Sequence, residues 1–431
     1  MRTEAIDAYS KLRILWFIEL DYRAGLRHGG SLRFFNLAKE LIHLGHEIYF
    51  VVRRKVGDEA AKRREFLESL KAEGMLTGYY EIEFSYPSAR GKVGSLMSHP
   101  GIANQLLRKY QSPALVRAKE IIAEKNINLA IFHDRDQLFL LPALRKEIKV
   151  LVDWVDCATL YHLREIRLGV RAGRLSVIPK MLRYMADAFA QESYYGKRAD
   201  LNLVVSPVDK SYLDSINRAP EKNRVLLNGL RLEAKRCGAG KIPNRIIFSG
   251  NMDFEPNYMA ALWFIDNVLP LLLKERNDLK LVVAGANPVA ELKAKASEHV
   301  VVTGYVEDMG EEIAQSAVYV APLVSGGGFK NKVVEAIISN TFVIATSMAA
   351  EFLSPNLQQH LLVSETPEEM AKQIISYLDD PEKFEPQLKT LQRIIGSEFT
   401  WEKRANELVE IARSLFSESK EPLREQALLS Y

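Results

Sequence analysis

Cysteine is scarce in this chain: 431 residues contain two, Cys157 and Cys237. Two cysteines so placed carry neither a disulfide framework nor a cysteine-ligated zinc site, and the usage fits a reducing compartment. An excess of either charge is also missing. Lys and Arg total 58 against 55 Asp and Glu, a formal net charge of +3, too small to imply a nucleic-acid partner. No apolar run reaches membrane-spanning length. The longest candidate, residues 260–273, is interrupted by Asp266, Asn267 and Pro270. Residues 1–10 carry Glu4 and Asp7 and lack the apolar core of a signal peptide. The expectation is therefore a cytoplasmic protein. A dense carboxylate cluster is lacking too. Asp134 and Asp136 have a suggestive spacing but read as a turn, so no metal is expected.

What is present is the composition of a globular protein, 47% hydrophobic and 26% charged. The length exceeds one ordinary core, so two domains are expected. Residues 12–18 form a compact apolar run that reads as a buried strand. A loop follows, ending in His28, Gly29 and Gly30, with Ser31 as a candidate helix cap. Leu32, Phe35, Ala38, Leu41 and Ile42 then repeat at helical spacing up to Gly45, and residues 47–52 form the next strand. This strand–loop–helix–strand unit opens a doubly wound parallel sheet. It lacks the Gly-x-Gly-x-x-Gly dinucleotide fingerprint. Gly29 and Gly30 either face a ligand or only permit the turn. His133 follows a strand at 129–132, where ligands bind in open α/β sheets; a structural histidine fits equally.

Residues 164–183 carry Arg164, Arg167, Arg171, Arg174, Lys180 and Arg183 among aliphatic residues, with few acids. This reads as a solvated face, a groove for an anionic acceptor, or a contact with acidic lipid head groups. Residues 231–244 are polar, include Gly238, Gly240 and Pro243, and read as a linker. The strand–helix pattern then restarts, with strands at 245–249, 281–284, 300–303 and 318–321, and a helix at 258–273. The domains are expected at 1–230 and 231–400, with a C-terminal helix in 401–431 packing back on the first.

The stretch around which the chain is organised is 326–346. Gly326, Gly327 and Gly328 allow close backbone approach, and a helix starting near Asn331 offers unpartnered N–H groups. Loop and helix start together suit a phosphate, although a glycine triplet before a helix can also be only a turn. Lys332 sits at the positive end of that helix, which makes best sense with an anion in front of it. Lys332, Glu335 and Ser339 share one helical face.

In order and spacing, these segments resemble the retaining glycosyltransferases of family four, with the GT-B fold. The resemblance rests on Phe248-Ser-Gly-Asn-Met-Asp-Phe-Glu-Pro-Asn257, Val283-Ala-Gly285, Val302-Thr-Gly-Tyr-Val-Glu-Asp308, Ala321-Pro-Leu323 and residues 326–346. In the first half it rests on Gly29-Gly30, residues 153–156, Val205-Ser-Pro207 and Asn228-Gly229. It implies two Rossmann-like domains facing across a cleft. It also implies sugar transfer from a nucleotide diphosphate, UDP- or GDP-linked, to a hydroxyl of a glycan or lipid-linked acceptor, with no cofactor. Cell-surface polysaccharide or glycoconjugate synthesis, at the inner face of the cell membrane, is the expected setting.

The resemblance assigns roles residue by residue. Glu335 matches the second of two paired glutamates and would bind ribose hydroxyls. Lys332 and the amides of Gly327 and Gly328 would hold the diphosphate, with Gly326 and Phe329 in the same loop. Gly304, Tyr305 and Val306 would meet the base, Gly250 and Gly285 would line the donor site, and Gly29 and Gly30 would approach the donor's diphosphate or the acceptor from the first domain. His133 would stand near the donor sugar; Lys332, Glu335 and His133 are the expected catalytic residues. One departure is clear: the first of the paired glutamates falls at Gly327. That leaves open the donor sugar, and two rival readings: an epimerase or hydrolase on the same fold, and a nucleotide-sugar-binding subunit without catalysis.

Overall fold

A computed structural model describes residues 11–20, 29–55, 57–83, 113–133, 135–171, 173–230 and 240–417. Asp134, most of the linker and the end of the expected C-terminal helix lie outside them. The chain divides into two compact units.

The first unit is built on seven parallel strands: β1 (Arg13–Phe17), β2 (Glu47–Arg53), β3 (Gly78–Ile82), β4 (Leu129–Phe132), β5 (Lys149–Val155), β6 (Leu201–Val204) and β7 (Asn223–Val225). Their order is β3-β2-β1-β4-β5-β6-β7, so chain direction across the sheet reverses between β1 and β4. The main helices are α1 (Gly29–His43), α2 (Asp58–Ala72), α3 (Pro113–Lys125), α4 (Ala158–Arg171), α5 (Ile178–Arg198) and α6 (Pro207–Asn217). Residues of β1 alternate between two cores, as strand geometry requires. Ile14 and Trp16 pack in one core with Phe34, Phe35 and Leu41 of α1; Leu15 and Phe17 pack in the other with Ala118 and Ile121 of α3. Helix α1 starts at Gly29, so Gly29 and Gly30 lie in its first turn rather than in the loop expected from the sequence, and Ser31 is inside the helix.

The second unit holds six parallel strands: β8 (Ile242–Ser249), β9 (Lys280–Ala284), β10 (Val300–Gly304), β11 (Ser316–Ala321), β12 (Phe342–Thr346) and β13 (Leu362–Ser364), in the order β10-β9-β8-β11-β12-β13. It repeats the first sheet's pattern, with the reversal between β8 and β11. Its helices include α7 (Glu255–Trp263), α8 (Leu269–Glu275), α9 (Met309–Ala314), α10 (Asn331–Ile338), α11 (Pro367–Asp379) and α12 (Glu385–Glu398). The strands are apolar and buried: Ile246, Phe248, Val283, Val318, Val320 and Ile344 are at most 1% exposed, as expected of parallel sheets covered on both faces. The sequence expects one helix over 258–273. The structure splits it by a π-helical turn, Phe264–Val268, just before Pro270. Proline has no N–H for the i−4 carbonyl, and widening the turn accommodates that loss.

The last helix, α13 (Trp401–Ser414), belongs to the first unit. Ala405, Leu408 and Ala412 enter the core that contains Phe35 and Leu41 of α1.

Candidate functional site

In the second unit, strands β8, β9 and β10 each finish at a glycine that touches the next. Gly250 N–H donates to the Ala284 carbonyl, and Gly285 N–H donates to the Gly304 carbonyl, both at 3.0 Å. The packing excludes any side chain there. A Cβ on Gly285 would stand 1.8 Å from the Gly250 carbonyl oxygen, and one on Gly250 would stand 2.6 Å from Asn257 Nδ2. Gly250 and Gly285 thus let the strand ends close up on each other and let Asn257 and Lys332 approach the backbone at Gly250. Tyr305, just past β10, is 66% exposed, and Val306 is half-buried.

Strand β11 runs into the glycine loop before α10. Thr346 Oγ1 donates to the Leu323 carbonyl at 2.6 Å and fixes the start of that loop. Gly326 and Gly328 have φ values of 102° and 71°, a region that favours glycine. Lys330, only 6% exposed, folds its ammonium back under the loop. It donates to the carbonyls of Gly327 and Gly328. Those carbonyls are thereby turned inward. Phe329 packs its ring against Phe352 at 4.5 Å and Phe399 at 6.0 Å, so it anchors the loop from beneath.

Helix α10 begins at Asn331 with Lys330 at its N-cap, and the Lys330 side chain does not cap it. Lys332 lies in the first turn and is half-buried. Its ammonium donates to Asn257 Oδ1 and sits 5.0 Å from the centre of the Phe248 ring, a cation–π contact. Asn257 is itself held, donating to the Asn251 carbonyl at 2.9 Å. Burial, and then the charge of Lys330, push the Lys332 ammonium down to about 7, with Glu335 opposing. One turn on, Glu335 is exposed. The surrounding protein pushes its carboxyl up and Lys332 opposes that push; because solvent reaches the side chain, most of the push is screened. Below them, Tyr319 and Ser249 pair their hydroxyls at 3.0 Å.

A second constellation lies in the first unit, where β4 and β5 end. His133 follows β4, and its backbone N–H donates to the Phe17 carbonyl at 2.9 Å. Its Nδ1 is 3.6 Å from Asp153 Oδ2, and its ring meets Phe34 edge-on at 5.1 Å. Asp153 is 2% exposed and pairs with the fully buried Arg33 of α1 at 2.8 Å. Burial alone would raise the Asp153 carboxyl, but Arg33 and His133 hold it well below the usual range. Arg33 also donates to the Leu226 carbonyl at 3.0 Å and to Asn228 Oδ1 at 2.8 Å. The segments at 153–156 and 228–229 are thus joined through one arginine.

Next to it, the fully buried Glu192 of α5 accepts from the backbone N–H of Ala158 at 2.7 Å and Thr159 at 3.3 Å, closing the start of α4. It also accepts from Arg135 at 3.2 Å. Arg135 lies 5.1 Å from the Trp154 ring. The buried Cys157 thiol is pushed up by burial and by Glu192, so it is no nucleophile.

Sequence reasoning singled out Lys332, Glu335, His133 and the glycines. The structure brings Lys332, Glu335, Gly250 and Gly285 together in the second unit and holds His133 on Asp153 in the first. It adds Asn257, Phe248 and Lys330, and Arg33 with Asp153. A lysine two positions before Lys332, at the end of a glycine run, was the available signal for Lys330.

Residues 243–380 match the family model described as glycosyl transferases group 1. An uncharacterized 44.6 kDa protein in the cps region of Klebsiella pneumoniae is 26% identical over 141 residues, covering 31% of this chain and 36% of that protein. Phosphatidyl-myo-inositol mannosyltransferase of Mycobacterium leprae is 27% identical over 133 residues, covering 30% of this chain and 35% of the enzyme. The chain thus matches about a third of the length of these curated relatives. Among solved structures, Anabaena HepE in complex with UDP and glucose superposes with a TM-score of 0.62 at 13% identity, covering 94% of this chain and 100% of that one. That likeness extends over both sheets and shows the fold, two parallel Rossmann-like α/β sheets as in GT-B structures.

Proposed function

We propose that this chain, which carries a group 1 glycosyltransferase domain within a GT-B fold, moves a sugar from a nucleotide-diphosphate donor to an acceptor hydroxyl with retention at the anomeric carbon. The observation that carries the reading is the arrangement at α10. Lys330 draws the loop carbonyls inward, while Lys332 is held by Asn257 and Phe248 at an open helix start. Such a place suits the charge that builds on a departing diphosphate.

In this reading, negative charge grows on the diphosphate as the glycosidic bond breaks. Lys332, the helix start and the amides of the glycine loop stabilise it without reorganising. Glu335 accepts hydrogen bonds from the two ribose hydroxyls; its exposure and single turn of separation from Lys332 support that role. Gly304, Tyr305 and Val306 bound the base, and the exposed Tyr305 ring offers it a face. Gly250 and Gly285 line the floor, while Gly326 and Phe329 act through the shape of the loop. His133, held by Asp153, keeps the role near the donor sugar that the resemblance implies, and Gly29 and Gly30 keep theirs towards the diphosphate or the acceptor. UDP is the first donor nucleotide to test, because UDP is the ligand of HepE. The neighbourhood of the Klebsiella relative favours a glycan or lipid-linked acceptor in surface-polysaccharide synthesis.

The test is product formation. The chain is incubated with nucleotide sugars and a glycan or glycolipid extract, and the anomeric configuration of the product is read by NMR. Transfer with retention is expected. Release of free sugar alone, or an epimerised nucleotide sugar, would instead establish a hydrolase or epimerase.

A further inference from the structure

Where strands β4, β5 and β6 begin, the first unit holds a cavity of about 780 Å³, a size that suits one small-molecule ligand. Its wall includes residues 127–128 before β4, 145–149 at the start of β5, Arg198 and Asp200 before β6, and Phe416 after α13. His133 and Asp153 lie towards the other ends of these strands. Asp153 stands four residues along β5 from Lys149, roughly 13 Å, so the cavity is separate from the constellation there.

The charges around this cavity do not balance. Four cations line it, Arg145, Lys146, Lys149 and Arg198, with two acids, Glu147 and Asp200. Both acids are already engaged. Glu147 pairs with Lys119. Asp200 pairs with Arg145 Nε at 3.3 Å and accepts from the Val150 backbone N–H at 2.8 Å. Among the described residues, no acid pairs with Lys146, Lys149 or Arg198. Arg198 is held instead by Tyr194: its guanidinium lies 3.6 Å from the ring centre and donates to the Tyr194 carbonyl at 3.0 Å. The end of α5 does not offset these charges either. Lys222 donates to the carbonyls of Lys197 and Ala199 at 2.8 and 3.0 Å, which covers the negative end of the helix. Three cations without acids around a bounded cavity call for an anion, and lysines meet phosphate as point charges. A free terminal phosphate carries about two negative charges near pH 7, and the inner phosphate of a nucleoside diphosphate adds a further one. The half-buried Ile148 and Phe416 on the same wall suit a planar group attached to those phosphates.

We infer that this cavity is a second nucleotide site, taking a nucleoside diphosphate with a free terminal phosphate: Lys146, Lys149 and Arg198 face the phosphates and Phe416 the base. The inference stands apart from the proposed transfer reaction, because the cavity shares no residue with α10. The experiment is isothermal titration with ADP, inorganic pyrophosphate and ADP-glucose. It uses the full chain carrying Lys332→Met, which removes the α10 site from the measurement, with and without Lys146→Glu and Lys149→Glu. Lys146 is exposed and Lys149 half-buried, so the thermal midpoint should hold; Lys146→Gln with Lys149→Gln serves where charge reversal lowers it. One ADP per Lys332→Met chain is expected, binding more weakly as salt rises. Pyrophosphate, which lacks the base, and ADP-glucose, which lacks the free terminal phosphate, should each bind more weakly than ADP. Reversing the two lysines should weaken ADP by at least about 100-fold, about tenfold for each cation. Hydrogen exchange in residues 142–149 should slow when ADP is added and stay unchanged in the lysine variants. No ADP bound by the Lys332→Met chain at about 1 mM, undiminished binding by both pairs of lysine variants, or pyrophosphate binding as tightly as ADP would overturn it.

Discussion

Lys332 offers the sharpest quantitative test. In the free protein its ammonium is pushed down from its ordinary 10.5 to about 7 by burial and by Lys330. Near pH 7, about half the molecules then carry an uncharged Lys332. A diphosphate beside it favours the charged form and raises its pKa again, so donor binding takes up a proton. The sign follows: affinity is full below pH 7 and is lost as pH rises through 7 towards the bound-state value. From pH 7 to pH 9 the affinity should fall by up to about 50-fold. The assay is isothermal titration with a nucleotide-diphosphate sugar, whose diphosphate does not titrate in this range, in buffers of differing ionisation heat. Uptake of about half a proton at pH 7 is expected. Lys332→Met should bind weakly, with a flat pH profile. Constant wild-type affinity from pH 6 to 9, with no proton exchange, would refute the idea that Lys332 meets the diphosphate.

Three further outcomes follow from the packing. Gly285→Ala places a methyl 1.8 Å from the Gly250 carbonyl oxygen, so urea unfolding should show a loss of about 3 kcal/mol or more, the upper end of overpacking costs. Lys330→Met leaves two loop carbonyls without their donor; about 2–4 kcal/mol of stability should be lost, with donor KM raised more than kcat is lowered. Lys330→Arg should restore part of both. Asp153→Asn leaves the fully buried Arg33 without its charge partner and should cost about 3–5 kcal/mol in urea unfolding; a change under about 1 kcal/mol would show that Asn228 and the Leu226 carbonyl suffice to hold Arg33.

The sheets were legible because buried parallel strands leave continuous apolar runs, as at Ile14–Phe17 and Phe342–Ala345. The start of α10 at Asn331 was legible from its glycine punctuation. Strand β3 was not: Gly78–Ile82 mixes tyrosines and a glutamate, and its tyrosines stay partly exposed at the sheet edge. The π-helical turn depends on how the chain absorbs Pro270, which periodicity does not encode. Phe329 read as a ligand contact because it sits in the glycine loop; that its ring also packs onto Phe352 and Phe399 was not legible, since those partners are 23 and 70 residues away. The Arg33–Asp153 pair joins positions 120 apart, a distance no local pattern spans. Lys332 declared itself by opposing the helix dipole, whereas Phe248 and Asn257 were legible only as the ends of one segment of the resemblance, and their contact with Lys332 emerged once the fold set them beside it.

The central claim is a nucleotide-diphosphate site at α10, and its most direct test is thermal shift of the purified chain with UDP-, GDP-, ADP- and dTDP-sugars, repeated with Glu335→Ala. A ligand bound only by the native state must raise the midpoint. The account predicts that one nucleotide class stabilises the native chain and loses most of that effect in the variant. Equal stabilisation of both chains, or no shift with any nucleotide sugar at concentrations of about 1 mM, would contradict it.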